Sequence, residues 1–529
     1  QLYEALGLKR PDSSLPIDHP KYCMKMATGT GKTWVLMALL IWQMLNKTEA
    51  LAAGQDDARF TRQFLIVAPG LIVYERLLDA FCGKLVASYG EVTGVRDFAT
   101  SEFMHCAALF LPDEDRERVL AFVRGNVCAK TEIGLKATGN GMIAITNWHL
   151  LMTKEEADAW AAQEGADHEV LPVEQMDTKQ VVEQVLPLSP GKNKGNTLET
   201  LDQRYARGNV LAYLADLPEL MVFNDEAHHI HEVKRVGETT EVEWQRSLNR
   251  IAESKGQRFV QMDFSATPYN AVGSGKKKDK LFFPHIVVDF DLNAAMRAGL
   301  VKSLVLDKRQ AVGAVRLETL DFKAKRDADG NVRLSDGQEL MLRAGLTRLK
   351  QLEQDFAPID PQRRPKMLVM CEDTKVTPLV EQYLCEGAGL VPEEVMTIDS
   401  GKKEELDEKK WNAVRERLFN VDKHATPKVL VSVLMLREGF DVNNVCVIVP
   451  LRSSESSILL EQTIGRGLRL MWREPEYTGI KKENRERINQ GQEPNSLIDV
   501  LTVVEHPAST KFYEDLKKQG LAVEGVGEV

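Results

Sequence analysis

The 529-residue sequence lacks long apolar runs and clustered cysteines. No apolar stretch approaches the roughly 18 residues that suggest a membrane span, and no signal-peptide pattern opens the chain. The seven cysteines are scattered singly, without a C-x-x-C pair, and several lie in apolar, strand-like runs. We therefore expect a cytoplasmic protein with reduced cysteines and no membrane partner.

An excess of positive charge is also missing. The 68 Lys and Arg residues are outnumbered by 78 Asp and Glu residues, which gives a net charge of −10. This balance excludes a uniformly basic coat for nucleic acid, although it is compatible with a local positive channel. The basic run at residues 276–280 lies among Gly and Ser, and we interpret it as a solvated loop rather than a DNA contact.

A glycine-rich loop between a short strand and a long helix is the most informative feature that is present. Residues 27–33 read Ala-Thr-Gly-Thr-Gly-Lys-Thr, after the apolar residues 22–26 and before a helical apolar pattern. This order is that of a P-loop, although Met26 replaces the first glycine of the strict pattern. Backbone N–H groups and a helix N-terminus suit phosphate, a lysine reaches the β and γ oxygens, and a hydroxyl completes Mg²⁺ coordination. We predict that ATP and Mg²⁺ bind at Thr28, Gly29, Thr30, Gly31, Lys32 and Thr33. The alternative is a Gly-Thr turn before a buried helix, which would need no lysine beside the threonine.

A nucleotide-hydrolysing site also needs a metal-orienting carboxylate and a base. Asp225, Glu226 and His228 follow the apolar run 220–223, so they emerge where parallel strands place ligand sites. We predict that Asp225 holds Mg²⁺ through its water shell, that Glu226 polarises the attacking water and that His228 couples the nucleotide to the rest of the protein. A transition-metal site with the neighbouring His229, His231 and Glu232 is disfavoured, because no zinc-like spacing accompanies them.

Continuous apolar runs predict the fold class. They occur at 64–67, 142–145, 220–223 and 259–260, and again at 367–370, 429–432 and 446–449. Continuous rather than alternating apolar strands indicate parallel sheets that are covered on both faces. We predict an α/β protein with two tandem parallel-sheet domains, at 1–288 with an insertion near 153–208, and at 362–510. Between them, 289–361 is predicted to be a connector with a hairpin at Asp329-Gly330 and a helix at 338–356. Residues 511–529 are expected to be a tail that leads into a longer parent chain.

The P-loop and the Asp-Glu-Ala-His box resemble those of superfamily 2 DEAD/DEAH-box helicases, which also share the departure at Met26. That resemblance implies two RecA-like domains that close over ATP. Other segments resemble helicase motifs in the expected order. They are Pro69 and Gly70 for motif Ia, Thr146 and Asn147 for motif Ic, Ser265 and Thr267 for motif III, Arg437, Gly439 and Asp441 for motif V, and Gln462, Arg466 and Arg469 for motif VI.

The resemblance implies a role for each of these motifs. Motifs Ia and Ic, with Arg437, would contact nucleic acid, while Gly439 and Asp441 would contact nucleotide. Motif III would couple hydrolysis to strand movement. Motif VI would act in catalysis, and its two arginines, spaced three apart, would share one helix face and sense the γ-phosphate. An adenine-reading glutamine is implied before the P-loop, and Gln1 is the candidate.

The full wording of the motifs is most similar to the helicase subunit of type III restriction enzymes. Those enzymes cut DNA with a separate nuclease domain of the P-D…(D/E)-x-K type, and no such site is found in this sequence. Asp321 and Lys323 have the terminal spacing but lack a P-D partner upstream. Trp148 is interpreted as a core residue in preference to a base-stacking one.

The leading functional hypothesis is an ATP-dependent DNA helicase or translocase motor in restriction or antiviral defence. DNA is the expected partner, together with a methyltransferase or specificity subunit or another defence subunit. Two alternatives stay open at this stage: an ATP-gated clamp that senses DNA without processive movement, and an RNA helicase.

Overall fold

The computed structural model describes most of the chain. The described residues are 19–88, 91–136, 138, 140–151, 210–228, 243–272, 279–307, 311–312, 315–316, 320–326, 332–398, 421–433, 442–451, 464–518 and 522–525. The chain divides into two compact units, one of Gln1–Lys25 with Gly31–Asp289 and one of Met26–Thr30 with Phe290–Val529. No helix among the described residues is long and apolar enough to span a membrane.

The first unit is built on a seven-stranded sheet. Its strands and those of two antiparallel pairs are, in chain order, β1 (Lys21–Met26), β2 (Gln63–Ala68), β3 (Lys84–Ser88), β4 (Glu91–Asp97), β5 (Val127–Cys128), β6 (Met142–Asn147), β7 (Leu220–Asn224), β8 (Phe259–Ser265), β9 (Tyr269–Val272), β10 (Asp279–Phe282) and β11 (Ile286–Phe290). The sheet order is β11-β1-β8-β7-β2-β6-β5, and the pairs from β1 to β5 are parallel. Its helices are α1 (Lys32–Ala52), α2 (Leu71–Cys82), α3 (Glu102–Phe110), α4 (Asp113–Asn126) and α5 (Glu243–Ala252).

Strand β2 shows why the apolar runs are continuous. Phe64 and Ile66 point into one buried cluster, whereas Leu65 and Val67 point into another. All four side chains are fully buried. Because successive side chains of a strand face opposite sides, both faces of this sheet are covered, as helices on a parallel sheet require.

The second unit has a seven-stranded sheet of its own. Its strands and those of two short hairpins are β12 (Ser303–Asp307), β13 (Ala311–Val312), β14 (Val315–Arg316), β15 (Lys325–Arg326), β16 (Val332–Arg333), β17 (Lys366–Met370), β18 (Val395–Ile398), β19 (Val429–Ser432), β20 (Val445–Pro450), β21 (Val500–Val504) and β22 (Ala522–Gly525). The order is β18-β19-β17-β20-β21-β12-β22, with every pair parallel. Its helices are α6 (Leu292–Ala298), α7 (Asp336–Phe356), α8 (Thr377–Gln382), α9 (Thr478–Asn489) and α10 (Thr510–Lys518). The predicted α/β class with two tandem parallel sheets is confirmed.

The segment predicted as a connector contributes to this second sheet. Strand β12 lies between β21 and β22, and α7 packs on β17, β20 and β21. A capping box starts α7, in which Ser335 Oγ accepts from the Gln338 N–H and Gln338 Oε1 accepts from the Ser335 N–H. Strands β15 and β16 pair as the predicted hairpin, with Asp329-Gly330 itself outside the described residues. The predicted insertion at 153–208 also lies outside them, and β22 comes from the predicted tail.

A buried lysine ties three segments of the second unit together. Lys302 is fully buried immediately before β12. Its ammonium donates to the carbonyls of Asn443 and Val445, both at 2.6 Å, and of Gly467 at 3.1 Å. Its backbone N–H donates to the Leu468 carbonyl at 2.7 Å. An ammonium has three donors, so three carbonyls satisfy it completely.

Replacing this lysine should destabilise the second unit. In Lys302→Met the chain length is kept, but three buried carbonyls lose their donor. We expect the free energy of unfolding to fall by about 2–4 kcal/mol, since each unsatisfied buried acceptor costs about 1–3 kcal/mol and relief of the buried charge offsets part of this. Urea denaturation measures the change. Lys482→Met, at a highly exposed lysine of α9, is the control, and equal urea midpoints for the two variants would contradict the role of Lys302.

Candidate functional site

The predicted motifs of the first unit meet at one edge of its sheet. Strands β1, β2, β6, β7 and β8 all run in the same direction. In the parallel register Ala68 lies beside Asn147, and Asn224 lies beside Asp263. The loops that follow these strands carry the P-loop, the motif Ia and Ic segments, the acidic box and the Ser-Ala-Thr segment. The sheet therefore collects five distant pieces of sequence at its carboxyl edge.

The P-loop has the backbone of an anion site. Gly29 and Gly31 have φ values of 82° and 89°, in the left-handed region that favours glycine. The Thr30 hydroxyl donates to the Ala27 carbonyl at 2.7 Å, which tightens the turn. Helix α1 follows with Gly31 at its N-cap, no side-chain cap and no acidic residue in its first turn. The positive end of a 21-residue helix thus has no side-chain anion from its own cap or first turn, which suits a phosphate.

The P-loop lysine lies against the acidic box. Lys32, on the first turn of α1, is buried, and its Nζ is 3.0 Å from Glu226 Oε1. Glu226 itself has φ 48°, a left-handed conformation that costs a non-glycine residue about 1–2 kcal/mol. Thr33 is half-buried beside Lys32. The structure thus brings together the lysine and the carboxylate that the sequence proposes for one site.

Asp225 is held by a residue that sequence reasoning missed. It is almost fully buried, and its Oδ2 accepts from Arg76 Nη2 at 2.7 Å. Its Oδ1 accepts from the Glu226 N–H at 3.1 Å. Arg76 lies on α2, which begins directly after Gly70. An arginine in an ordinary helix carries no motif signal, so only the fold reveals this pair.

The acidic box also contacts the Ser-Ala-Thr segment. His228 Nδ1 is 3.2 Å from Ser265 Oγ and 3.7 Å from Glu226 Oε2. Ser265 Oγ in turn accepts from the Thr267 N–H at 3.1 Å. Which partner of the His228 and Ser265 pair donates depends on the imidazole tautomer. The side chains of His228 and Ser265 and the backbone N–H of Thr267 are therefore in one continuous network with the predicted base.

A buried row of polar side chains lies directly behind these motifs. Asp263 Oδ1 accepts from Asn224 Nδ2 at 2.7 Å and from Gln261 Nε2 at 2.9 Å, and His19 Nε2 is 2.8 Å from Gln261 Oε1. Desolvation by burial raises the pKa of Asp263, against the lowering effect of the two amide hydrogen bonds. Asn224 is one residue before the acidic box, and Asp263 is two residues before Ser265. The row thus links the ends of β7 and β8. No sequence motif predicted it.

The predicted nucleic-acid contacts have different exposures. Pro69 and Gly70 are half-buried at the end of β2. Thr146 is fully buried, and its hydroxyl donates to the Asn147 carbonyl at 3.1 Å. Trp148 stacks on Trp244 at an interplanar angle of 4° and packs against the core of the first unit. These positions favour core packing for Trp148. A nucleic-acid contact at 146–147 would use the backbone, because the Thr146 hydroxyl is buried and already donates to a carbonyl.

The motif VI arginines lie in the second unit. Residues 464–467 are helical, with Ile464 buried and Arg466 half-buried. Arg469, also half-buried, lies beyond the helical residues, so the two arginines do not share one regular helix face as predicted. At this helix end Lys302 donates to the carbonyls of Gly467 and Leu468, which the end of the helix leaves without intrahelical partners. A Cβ on Gly467 would lie 2.7 Å from Leu501 Cδ1, so this turn packs closely on β21.

Five predicted site residues lie outside the described residues. They are Gln1, Arg437, Gly439, Asp441 and Gln462, and His229, His231 and Glu232 of the alternative metal site lie there too. In the part of the chain that the structure describes, no group of three or more His, Cys, Asp and Glu side chains is arranged to hold a metal. A Mg²⁺ ion bound mainly by phosphate oxygens and water, with Thr33 and Asp225 as its protein side, fits this donor set.

Removing the charge of the buried row should change how stability depends on pH. In Asp263→Asn the amide oxygen still accepts both hydrogen bonds, but the group no longer titrates. Because the folded pKa is raised, the unfolded chain loses its proton first, and wild-type stability falls relative to the variant as pH rises above about 4. Urea unfolding of both proteins from pH 4 to pH 8 measures the difference. A difference that does not change with pH would show that Asp263 titrates normally.

Comparison with known proteins gives one family match. The family model described as "Type III restriction enzyme, res subunit" matches residues 8–270. No curated protein matches the chain significantly.

Solved structures with similarity include the ATP-dependent Type ISP restriction-modification enzyme LlaBIII bound to DNA, at 12% identity and a TM-score of 0.42 over 95% of this chain and 31% of that one. The DEAD-box helicase Mss116 bound to ssRNA and UDP-BeF has 11% identity and a TM-score of 0.42, with 98% and 73% of the two chains covered. The Mycobacterium smegmatis helicase Lhr bound to ssDNA and AMP-PNP has 11% identity and a TM-score of 0.41, with 96% and 47% covered. The chain therefore spans about a third of the length of the restriction enzyme.

The family match covers the P-loop, the acidic box and the Ser-Ala-Thr segment, which are the motifs gathered at the first sheet. Residues 8–270 therefore match the type III restriction enzyme res subunit family, and the rest of the chain contributes a second parallel sheet outside that match.

Proposed function

We propose that this protein is an ATP-driven motor that moves along or remodels DNA. The observation that carries the proposal is the 3.0 Å approach of Lys32 Nζ to Glu226 Oε1, at a helix N-terminus that has no cap of its own. This arrangement combines a phosphate cradle, a cation and a base in one place. A buried structural ion pair would not need the two left-handed glycines that precede it.

Each predicted site residue of the first unit has a distinct proposed role. Lys32 would leave Glu226 for the more negative phosphates, and Glu226 would then be free to polarise water. Asp225 and Thr33 would hold Mg²⁺, which when bound neutralises charge on the phosphoryl oxygens. His228, through Ser265, would transmit the state of Glu226 to β8.

The second unit would supply the groups that sense ATP. We assign this role to Arg466 and Arg469, with Gln462 beside them, because arginines that stabilise a transferring phosphoryl group raise rates by roughly 10³ to 10⁵ in related nucleotide hydrolases. The hold of Lys302 on Gly467 would keep these arginines in register with the sheet.

DNA is the proposed track. Pro69, Gly70 and Asn147 end neighbouring strands, where backbone groups could follow a phosphate chain. The amino-acid sequence of motif V, including Arg437, resembles that of DNA-repair helicases. The family match of residues 8–270 supports the further proposal of a defence role as a restriction-type subunit, with a methyltransferase or specificity partner.

Removing the cation or the base should separate binding from hydrolysis. Lys32→Ala is expected to lower steady-state ATP hydrolysis by about 10²–10³-fold, because charge stabilisation of the phosphates is lost. Glu226→Gln is expected to bind ATP but to hydrolyse it about 10²–10⁴-fold more slowly, because the base is lost. Phosphate release and fluorescent-nucleotide binding measure the two effects, with Lys482→Ala as the exposed control. Unchanged turnover in Lys32→Ala would refute the site.

Movement can be distinguished from clamping by triplex displacement on DNA tracks of increasing length. A translocase should displace the third strand after a lag that lengthens with the track, whereas a stationary ATP-gated clamp should show no dependence on length. ATPase stimulation by DNA and by RNA at matched salt tests the track, since phosphate contacts make both affinities salt-dependent. Stimulation by RNA alone would overturn the assignment to DNA.

A further inference from the structure

We infer that Arg76 is a positioning residue that competes with Mg²⁺ for Asp225 and so links loading of the nucleotide site to helix α2. The inference rests on the proposed role of Asp225 in the function above. Neither Arg76 nor α2 belongs to any of the motifs identified from the sequence.

The geometry leaves little of the Asp225 carboxylate for a cation. Arg76 Nη2 is 2.7 Å from Oδ2, and the Glu226 N–H is 3.1 Å from Oδ1. The Asp225 side chain is 4% exposed and that of Arg76 is 18% exposed, so solvent screens the pair only weakly. A divalent cation or its water shell that takes up Oδ2 must displace or share the guanidinium, and the two positive charges repel each other. Mg²⁺ binding and the Arg76 contact therefore oppose one another.

Because Arg76 belongs to α2, its release from Asp225 would change how this helix is held. Arg76 lies in its second turn, and Tyr74 and Leu77 of the same helix are buried in the core of the first unit. The N-cap of α2 is Gly70, which makes no side-chain cap hydrogen bond. The contacts that hold this part of the helix are core packing by Tyr74 and Leu77 and charge pairs. Release of Arg76 would loosen one of those pairs immediately behind the predicted DNA contact at Pro69 and Gly70.

A second charge pair on α2 offers a matched control. Arg96, from β4, forms ion pairs with Glu75 and Asp79 of α2 and does not contact Asp225. Arg96→Gln therefore removes a cation that pairs with the same helix, without freeing the proposed Mg²⁺ ligand. Arg76→Gln removes the competing charge, and Arg76→Lys keeps a cation at the position.

The test is binding of a fluorescent ATP analogue at increasing free Mg²⁺. We expect the half-saturating Mg²⁺ concentration to fall by about 10–100-fold in Arg76→Gln, the range of one hydrogen bond to a charged group. Arg76→Lys and Arg96→Gln should stay close to wild type, and binding without Mg²⁺ should be equal in all four proteins. By linkage, saturating DNA should shift the Mg²⁺ dependence of wild type and leave that of Arg76→Gln unchanged.

A merely structural pair predicts a different result. If Arg76 only compensates the buried charge of Asp225, Arg76→Gln lowers the urea midpoint and leaves the Mg²⁺ dependence unchanged, which overturns the inference. If wild type itself shows no Mg²⁺-dependent nucleotide binding, the proposed function fails instead. Hydrogen exchange on wild type needs no variant: amides of 71–82 should exchange faster with Mg²⁺ and nucleotide than with nucleotide alone, and equal rates would also overturn the inference.

Discussion

Parallel pairing of strands that are apolar on both faces is the constraint on which the rest of the structure depends. Such strands cannot face water, so helices must return the chain across the sheet, and every strand then ends at the same edge. In the sheet that contains β1, β7 and β8, that edge receives the segments that follow these three strands: the P-loop, the acidic box and the Ser-Ala-Thr segment. The site is therefore a product of the core: residues far apart in sequence meet because the strands before them are buried side by side.

Charge compensation organises what happens at that edge. Lys32 neutralises Glu226, and Arg76 neutralises Asp225, so each carboxylate has a cation of the protein itself. Burying one of these charges without its partner would be costly. A negatively charged nucleotide and its metal ion would replace both pairs at once, by attracting the lysine and repelling the arginine. This exchange of partners is a physical means by which nucleotide loading can move protein segments.

The fold class and the proximity of Lys32 to Glu226 could be predicted from sequence for a clear reason. Continuous apolar runs indicate buried parallel strands. The predicted nucleotide site could be recognised because the residue types it needs stand next to one another in Gly-Lys-Thr and in Asp-Glu. Sequence could not reveal Arg76, Asp263 or Lys302, because their partners are set by strand order rather than by spacing. The spacing of Arg466 and Arg469 suggested one helix face, but the helical residues end at Gly467, between the two arginines, and spacing alone does not show where a helix ends. Strand β12 was assigned to a connector because five residues carry too little periodicity to identify the sheet they join.

The most direct test of this account is a structure with Mg²⁺ and a non-hydrolysable ATP analogue. We predict that Lys32 Nζ contacts phosphate oxygens and that its distance to Glu226 Oε1 increases from 3.0 Å to more than 4 Å. A bound nucleotide with the Lys32 and Glu226 pair intact would contradict the exchange of partners on which the proposed mechanism depends.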